Sequence, residues 1–158
     1  MKCKLIFFLL VTLSLSSCAS DDDICIGGEA TPRMKVKFKT KSSGKMKTLD
    51  SLFIAVDYGK GKVPVIATAL KTDSVLLPLR VDDSPFTKLY VGLSRKTVTS
   101  EIKINYTTES AYVSPACGIK KVYQNLTSNL EIAGDVAGIE QNQSQLTDES
   151  KTHLFLLF

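Results

Sequence analysis

From Met34 to Lys41 the chain alternates without a break: Met34, Val36, Phe38 and Thr40 fall on one phase, Lys35, Lys37, Lys39 and Lys41 on the other. A period of two held over this many residues demands a β-strand, because a helix would scatter the lysines around its circumference. The pattern predicts a half-buried strand with its apolar phase on a core and its four lysines in solvent. Such a row of lysines also suits a sheet edge, which it blunts against pairing with strangers.

Related signals recur along the chain. Leu52 to Val56 is a short apolar run closed by Asp57-Tyr58-Gly59-Lys60-Gly61, whose glycines mark a hairpin-like connection. Val63 to Leu70 reads as a strand, with Pro64 near its start where a missing donor is tolerated. Val75, Leu77, Leu79 and Val81 alternate, and Pro78 on the opposite phase places this segment at an edge or a bulge. Leu89, Val91 and Leu93 make another alternating set, and Ile102, Ile104 and Tyr106 one more. Gly118 to Ile132 is ambiguous, since Ile119, Val122, Leu126 and Leu130 would also suit a helix; its β-branched and tyrosine content favours a strand. Gly134 to Ser150 is polar and rich in Gln and Asn, the composition of a long loop. His153 to Phe158 reads as a strand buried on both faces or paired into a sheet centre.

Short strands separated by turn signals, with no convincing amphipathic helix, predict an all-β fold: a single antiparallel β-sandwich over residues 32–158. An immunoglobulin-like arrangement is the natural candidate, although the tryptophan many such domains bury is missing, and a small barrel is the alternative.

Ahead of the domain, Lys2 and Lys4 precede an apolar run from Leu5 to Leu15, followed by Ser16-Ser17 and Cys18. The run is shorter than the ~20 residues a membrane span needs. With a charged start and small residues before a cysteine, it resembles a bacterial lipoprotein signal: residues 1–17 would be removed and Cys18 would become the lipidated first residue. Several acyl chains on one residue, each methylene contributing about 0.8 kcal/mol, would hold the protein in the membrane. An ordinary secreted protein with a cysteine at its cleavage site is the alternative. Residues 18–31 then form a tether, and its cluster Ser20-Asp21-Asp22-Asp23 resembles the export tag of Bacteroidota surface lipoproteins. That resemblance implies the outer membrane, its outer face ahead of the periplasmic one; a tether merely kept solvated by its charge would look the same.

The cysteines follow from this reading. Cys3 leaves with the signal and Cys18 carries lipid, so Cys25 and Cys117 remain in an oxidising compartment and are expected to form a disulfide. The closed loop of about 92 residues would contribute roughly 4.6 kcal/mol in the chain-entropy treatment. From 158 residues at +4, removal of residues 1–17 with Lys2 and Lys4 leaves 141 residues at +2, one domain's worth of chain. Charge is uneven: Arg33 to Lys62 holds nine basic residues against Asp50 and Asp57, whereas Gln124 to Phe158 holds Lys151 against five acids. The basic stretch has no aromatic interleaving of the kind single-strand binders use, so no nucleic-acid partner is expected. It reads instead as a solvated strand face that meets acidic headgroups or polysaccharide.

Asp22-Asp23-Ile24-Cys25, Thr31-Pro32-Arg33 and Val113-Ser114-Pro115-Ala116-Cys117-Gly118 together resemble a family of small uncharacterised Bacteroidota envelope lipoproteins. The resemblance covers most of the chain after the signal and excludes the 134–150 stretch. It implies that the two cysteines belong to the family pattern and that the protein is an envelope component; it implies no reaction.

The catalytic candidates are thin. Cys117 as a nucleophile with His153 as base competes with a disulfide, and a thiolate needs that neighbouring base to react at neutral pH. One histidine and no clustered His/Cys spacing leave only carboxylates for a metal; neither a metal nor another cofactor is expected. No phosphate-binding glycine loop or nucleophile elbow occurs, so the expectation is a non-enzyme. Asp50-Ser51-Leu52 and Asp73-Ser74-Val75 resemble the short pattern Bacteroidota use for O-glycosylation, making Ser51 and Ser74 modification candidates. Two functional readings remain. One is a lipid-anchored accessory domain that docks on another envelope component, such as an outer-membrane barrel protein. The other is a surface module for glycan or peptide, with Tyr58 and Tyr112 as its contact residues.

Overall fold

A computed structural model describes residues 30–66, 71–94 and 100–158. The signal segment, Cys18, the acidic cluster, Cys25 and the end of the predicted Val63–Leu70 strand lie outside the described residues. Among the described residues the chain forms nine strands and no helix: β1 (Met34–Lys39), β2 (Phe53–Asp57), β3 (Lys62–Ile66), β4 (Ser74–Leu77), β5 (Phe86–Gly92), β6 (Ser100–Ser114), β7 (Gly118–Ile132), β8 (Gly138–Gln141) and β9 (Leu154–Leu157).

They make two packed sheets, ordered β4-β1-β9-β8 and β3-β2-β5-β6-β7. All neighbours run antiparallel except β1 and β9, which pair parallel with Val36 beside Leu154 and Phe38 beside Leu156. The alternation read from the sequence sets which face each strand buries. Met34, Val36 and Phe38 of β1, with Leu154 and Leu156 of β9, meet Ile54 and Val56 of β2, Leu89 and Val91 of β5, and Ile102 and Ile104 of β6 in one core. This is the expected all-β sandwich. The immunoglobulin-like expectation holds at the level of two packed, mostly antiparallel sheets; here β1 and β2 lie in different sheets.

Several local expectations are met. Gly118–Ile132 is a strand along its whole length. β4 stops at Leu77, just before Pro78, and is an edge strand, and Pro64 sits in β3, the edge of the other sheet. At the β2–β3 connection, Asp57 Oδ1 accepts hydrogen bonds from the amides of Gly59 (2.7 Å) and Gly61 (3.2 Å). Gly59 has φ +88°, which L side chains rarely adopt, so the backbone of this turn requires glycine.

Two expectations are corrected. The lysine-faced strand β1 is no edge; it is flanked by β4 and β9. Its lysines are not simply solvated either. Lys37 pairs with Asp73 at 3.8 Å, Lys39 sits 2.5 Å from Glu140 and 3.9 Å from the centre of the Phe155 ring, and Lys41 Nζ reaches the Ala137 carbonyl at 3.0 Å. A lysine row marks one exposed face, and an interior strand of a two-layer sandwich has such a face as surely as an edge strand does. The 134–150 stretch is likewise more than a loop. It contains β8, and Val136 and Leu146 are fully buried in the core. Leu146 exchanges backbone hydrogen bonds with Tyr123 (2.8 and 3.1 Å), which carries β7 across to the other sheet.

Candidate interaction surface

Two features of the sandwich present chemistry outward: a groove along β4 and an arm made by β6 and β7.

The groove, of about 560 Å³, lies beside β4, whose outer side has no paired strand among the described residues. It is lined by Ser74, Val75 and Leu76 of β4, by Ile66 of β3, and by Arg33, Lys35 and Glu149. Register explains the mixture: Lys35 lies opposite Leu76 on the outer face, whereas Val36 opposite Val75 belongs to the core phase. Arg33 and Glu149 form a bidentate pair, Nε to Oε1 at 2.7 Å and Nη2 to Oε2 at 2.9 Å, with the Arg33 amide adding a third bond at 3.0 Å. The guanidinium hydrogen bonds hold the Glu149 carboxyl below the usual range, and the carboxylate raises Arg33 in return. Both side chains are substantially exposed, so the pair fixes the shape of the groove wall more than it stabilises the fold. An edge strand carries unpaired backbone donors and acceptors. The groove therefore offers a backbone template with an apolar and net positive lining.

The arm arises because β6 and β7 are each fifteen residues long, while β5 pairs with β6 only from Val91/Ser100 to Phe86/Asn105. Beyond a bulge between Asn105 and Thr107, the two strands pair with each other as far as Ser114 and Gly118, with Tyr123 at the root also bridged to Leu146. Two tyrosines root the arm. The rings of Tyr106 and Tyr123 meet edge-on at 5.0 Å, Tyr123 donates its hydroxyl hydrogen to the Arg80 carbonyl at 3.2 Å, and Tyr106 shares a 2.6 Å hydrogen bond with Thr87. Thr87 Oγ1 also accepts from the Arg80 amide at 3.0 Å. Burial raises the hydroxyl pKa of both tyrosines. A recess of about 330 Å³ at this root is lined by Asp83, Pro85, Tyr106 and Thr108, and the buried Thr108 Oγ1 has no hydrogen-bond partner among the described residues.

The predicted site residues separate. Tyr112 lies near the end of the arm and is 69% exposed, but Tyr58 is half-buried against the core, where desolvation raises its hydroxyl pKa. They do not form a shared platform; one of the two remains a candidate contact. Ser51 is half-buried and donates to the Leu93 carbonyl at 2.7 Å, whereas Ser74 lines the groove and donates to Asp73 at 2.9 Å. Cys117 is disulfide-bonded and sits in the turn of the arm. His153 is buried at the start of β9, its Nδ1 accepting from the Lys35 amide at 3.2 Å, and burial lowers its pKa. Nδ1 is thereby an acceptor and the ring neutral.

Sequence reasoning missed the groove altogether, because Arg33 and Glu149 are 116 residues apart. It also overstated the charge asymmetry. Folding brings Arg33 to Glu149, Lys39 to Glu140 and Lys88 to Glu131, so three of the five carboxyl-terminal acids are offset in space, two of them by the basic stretch. Among the described residues no group of three His, Cys, Asp or Glu is gathered as a metal site would require. No helix among them is long and apolar enough to cross a membrane.

Comparison with known proteins returned no matching curated protein and no matching solved structure. A family of unknown function, DUF6452, matches residues 50–158, from just before β2 through β9. That match spans more than half of the sequence, and the chain belongs to this family.

Proposed function

We propose that the protein is a non-enzymatic accessory domain of the bacterial cell envelope, held at the outer membrane by lipid on Cys18, which docks a partner such as an outer-membrane barrel protein. The observation that carries this reading is the groove along β4. An extended segment of a partner can add to that edge, gaining backbone hydrogen bonds while its side chains meet Leu76, Arg33 and Lys35. A non-catalytic role is supported by the occupied chemistry of the cysteine and the histidine among the described residues: Cys117 is disulfide-bonded and His153 is neutral and buried. On this reading Cys25 is the partner of Cys117.

The test is purification of the native protein from membranes in mild detergent after gentle cross-linking, beside Lys35→Glu and Leu76→Asp variants. A stoichiometric envelope partner lost at least tenfold in both variants is the expected result. A partner retained equally by both variants rules out the groove as its site, and recovery of the wild-type protein alone overturns the accessory role. Intact mass of the same preparation reads acyl groups on Cys18, the loss of two hydrogens for a Cys25–Cys117 bond, and any glycan on Ser51 or Ser74. Free thiols at Cys25 and Cys117 without reduction would refute the pairing.

The second reading, a surface module for glycan, rests on the exposure of Tyr112. Tyr112→Ala would then reduce retention on envelope polysaccharide, and unchanged retention would dismiss it.

A further inference from the structure

We infer that the end of the β6–β7 arm is a membrane-contact site, with Tyr112 and Ile119 seated at the headgroup level of the bilayer that holds the lipid anchor. The inference rests on the Cys18 anchor proposed above. Tyr112 and Ile119 are direct cross-strand partners, and at 69% and 65% they are the most exposed large apolar side chains among the described residues. A tyrosine carries an apolar ring and a hydroxyl that stays hydrated, the combination that favours a membrane interface over either bulk phase. Lys120 and Lys121 follow Ile119, but Lys121 is paired with Asp83 at 2.7 Å and Glu109 lies on the facing strand, so the contact is carried by the apolar pair rather than by net charge.

The occupant is indicated by where the described chain starts. Thr31 is fastened to the arm itself, its Oγ1 accepting from the Lys121 amide at 3.0 Å, two residues along β7 from Ile119. Cys18 and Thr31 are thirteen positions apart in the sequence. A chain of that length spans at most ~47 Å extended and ~20 Å as an average coil. The four residues from Lys121 to the Cys117 turn cover ~14 Å of strand, whereas the eleven from Lys121 to Ile132 cover ~36 Å in the opposite direction. An anchor at Cys18 therefore brings the arm's turn to the bilayer ahead of the far end of β7.

The chain has no tryptophan, so one introduced indole reports alone. Full-length lipidated Tyr112→Trp, Ile119→Trp and, as a control at the far end of β7, Ile132→Trp proteins are reconstituted into phosphatidylcholine–phosphatidylglycerol vesicles with and without dibrominated acyl chains. The expected result is at least twofold quenching and a blue-shifted emission for the indoles at 112 and 119, with the indole at 132 unquenched and water-like. Equal quenching at all three positions, or none at 112 and 119, overturns the inference. A blue shift at 112 without bromolipid quenching would also overturn it, assigning the surface to a protein. Intact mass of each sample, read beforehand, shows whether Cys18 carries acyl groups, so failure of the anchor and failure of the contact are separately visible.

Discussion

Replacing Thr87 by valine probes how the arm is fixed to the sandwich. Thr87 is fully buried, and its hydroxyl bridges the Arg80 amide at 3.0 Å and the Tyr106 hydroxyl at 2.6 Å. Valine keeps the volume and the branching, so no cavity forms and the loss is confined to hydrogen bonding. Each buried polar group left without its partner costs about 1–3 kcal/mol. The Arg80 amide also lies within reach of the Tyr106 hydroxyl, which lets the two orphaned groups satisfy each other in part. Thr87→Val is therefore expected to destabilise by about 1–3 kcal/mol, or roughly 4–12 °C in Tm for a domain of this size. The assay is equilibrium urea unfolding under oxidising conditions for the wild type, Thr87→Val, Tyr106→Phe and the double variant. Removing both hydroxyls should cost less than the two single losses together, by ~1 kcal/mol, because the second substitution removes a group already unpaired. A Thr87→Val cost below about 0.5 kcal/mol, or single costs that add within ~0.3 kcal/mol, would refute the bridge.

Two further outcomes follow from burial. Leu146→Ala should cost about 2–5 kcal/mol by urea unfolding, the range for an emptied core leucine, because Leu146 is fully buried; a surface-like loss below ~0.5 kcal/mol would return the 134–150 stretch to loop status. Acid should weaken the fold in two stages. Burial keeps the His153 pKa below its ordinary value amid Asp148, Lys151, the Gln145 backbone and the Lys35 amide. The unfolded chain therefore takes up that proton first, and stability is full above ~6.5 and falls as pH drops below it. Glu149 held by Arg33, Glu131 by Lys88, Asp148 by the Ser150 hydroxyl and Asp82 by Arg80 all lie below the usual carboxylate range. Their contribution is present above that range and is lost as pH falls through the lowered values. Tm measured from pH 8 to 3 should show both stages in the wild type and only the second in His153→Asn; an unchanged first stage in that variant would contradict the assignment.

What could be read from the chain was local. β1 and the first part of β6 announced themselves through alternation, β7 only through its β-branched and tyrosine content, and the β2–β3 connection through Asp57 and its two glycines. β8 did not, since Gly138-Ile139-Glu140-Gln141 contains a single aliphatic side chain and is too short to show a period. Val136 and Leu146 were hidden for a related reason: isolated apolar residues among glutamines and asparagines carry no phase, and only contact with distant strands makes them core. The place of β1 in its sheet depends on partners at residues 74–77 and 154–157, which no local pattern specifies. The candidate surfaces divide the same way. Tyr112 was accessible to sequence reasoning as an aromatic contact candidate in a chain without tryptophan, whereas the groove exists only where residues around 33, 66, 75 and 149 meet.

The parallel pairing of β1 with β9 sets an order of assembly. Val36 and Leu154 close a loop of about 118 residues, an entropic cost on the order of 4 kcal/mol against short-range contacts that cost far less. The β5-β6-β7 meander needs only neighbouring turns and can form while the rest of the chain is still loose. A polypeptide delivered amino-terminus first thus carries β1 across early and must keep it waiting. Its apolar phase and half of its backbone bonds stay unclaimed until the final residues arrive. For that interval the lysines between Met34, Val36 and Phe38 serve the nascent chain by keeping an unpaired strand soluble until β9 claims it.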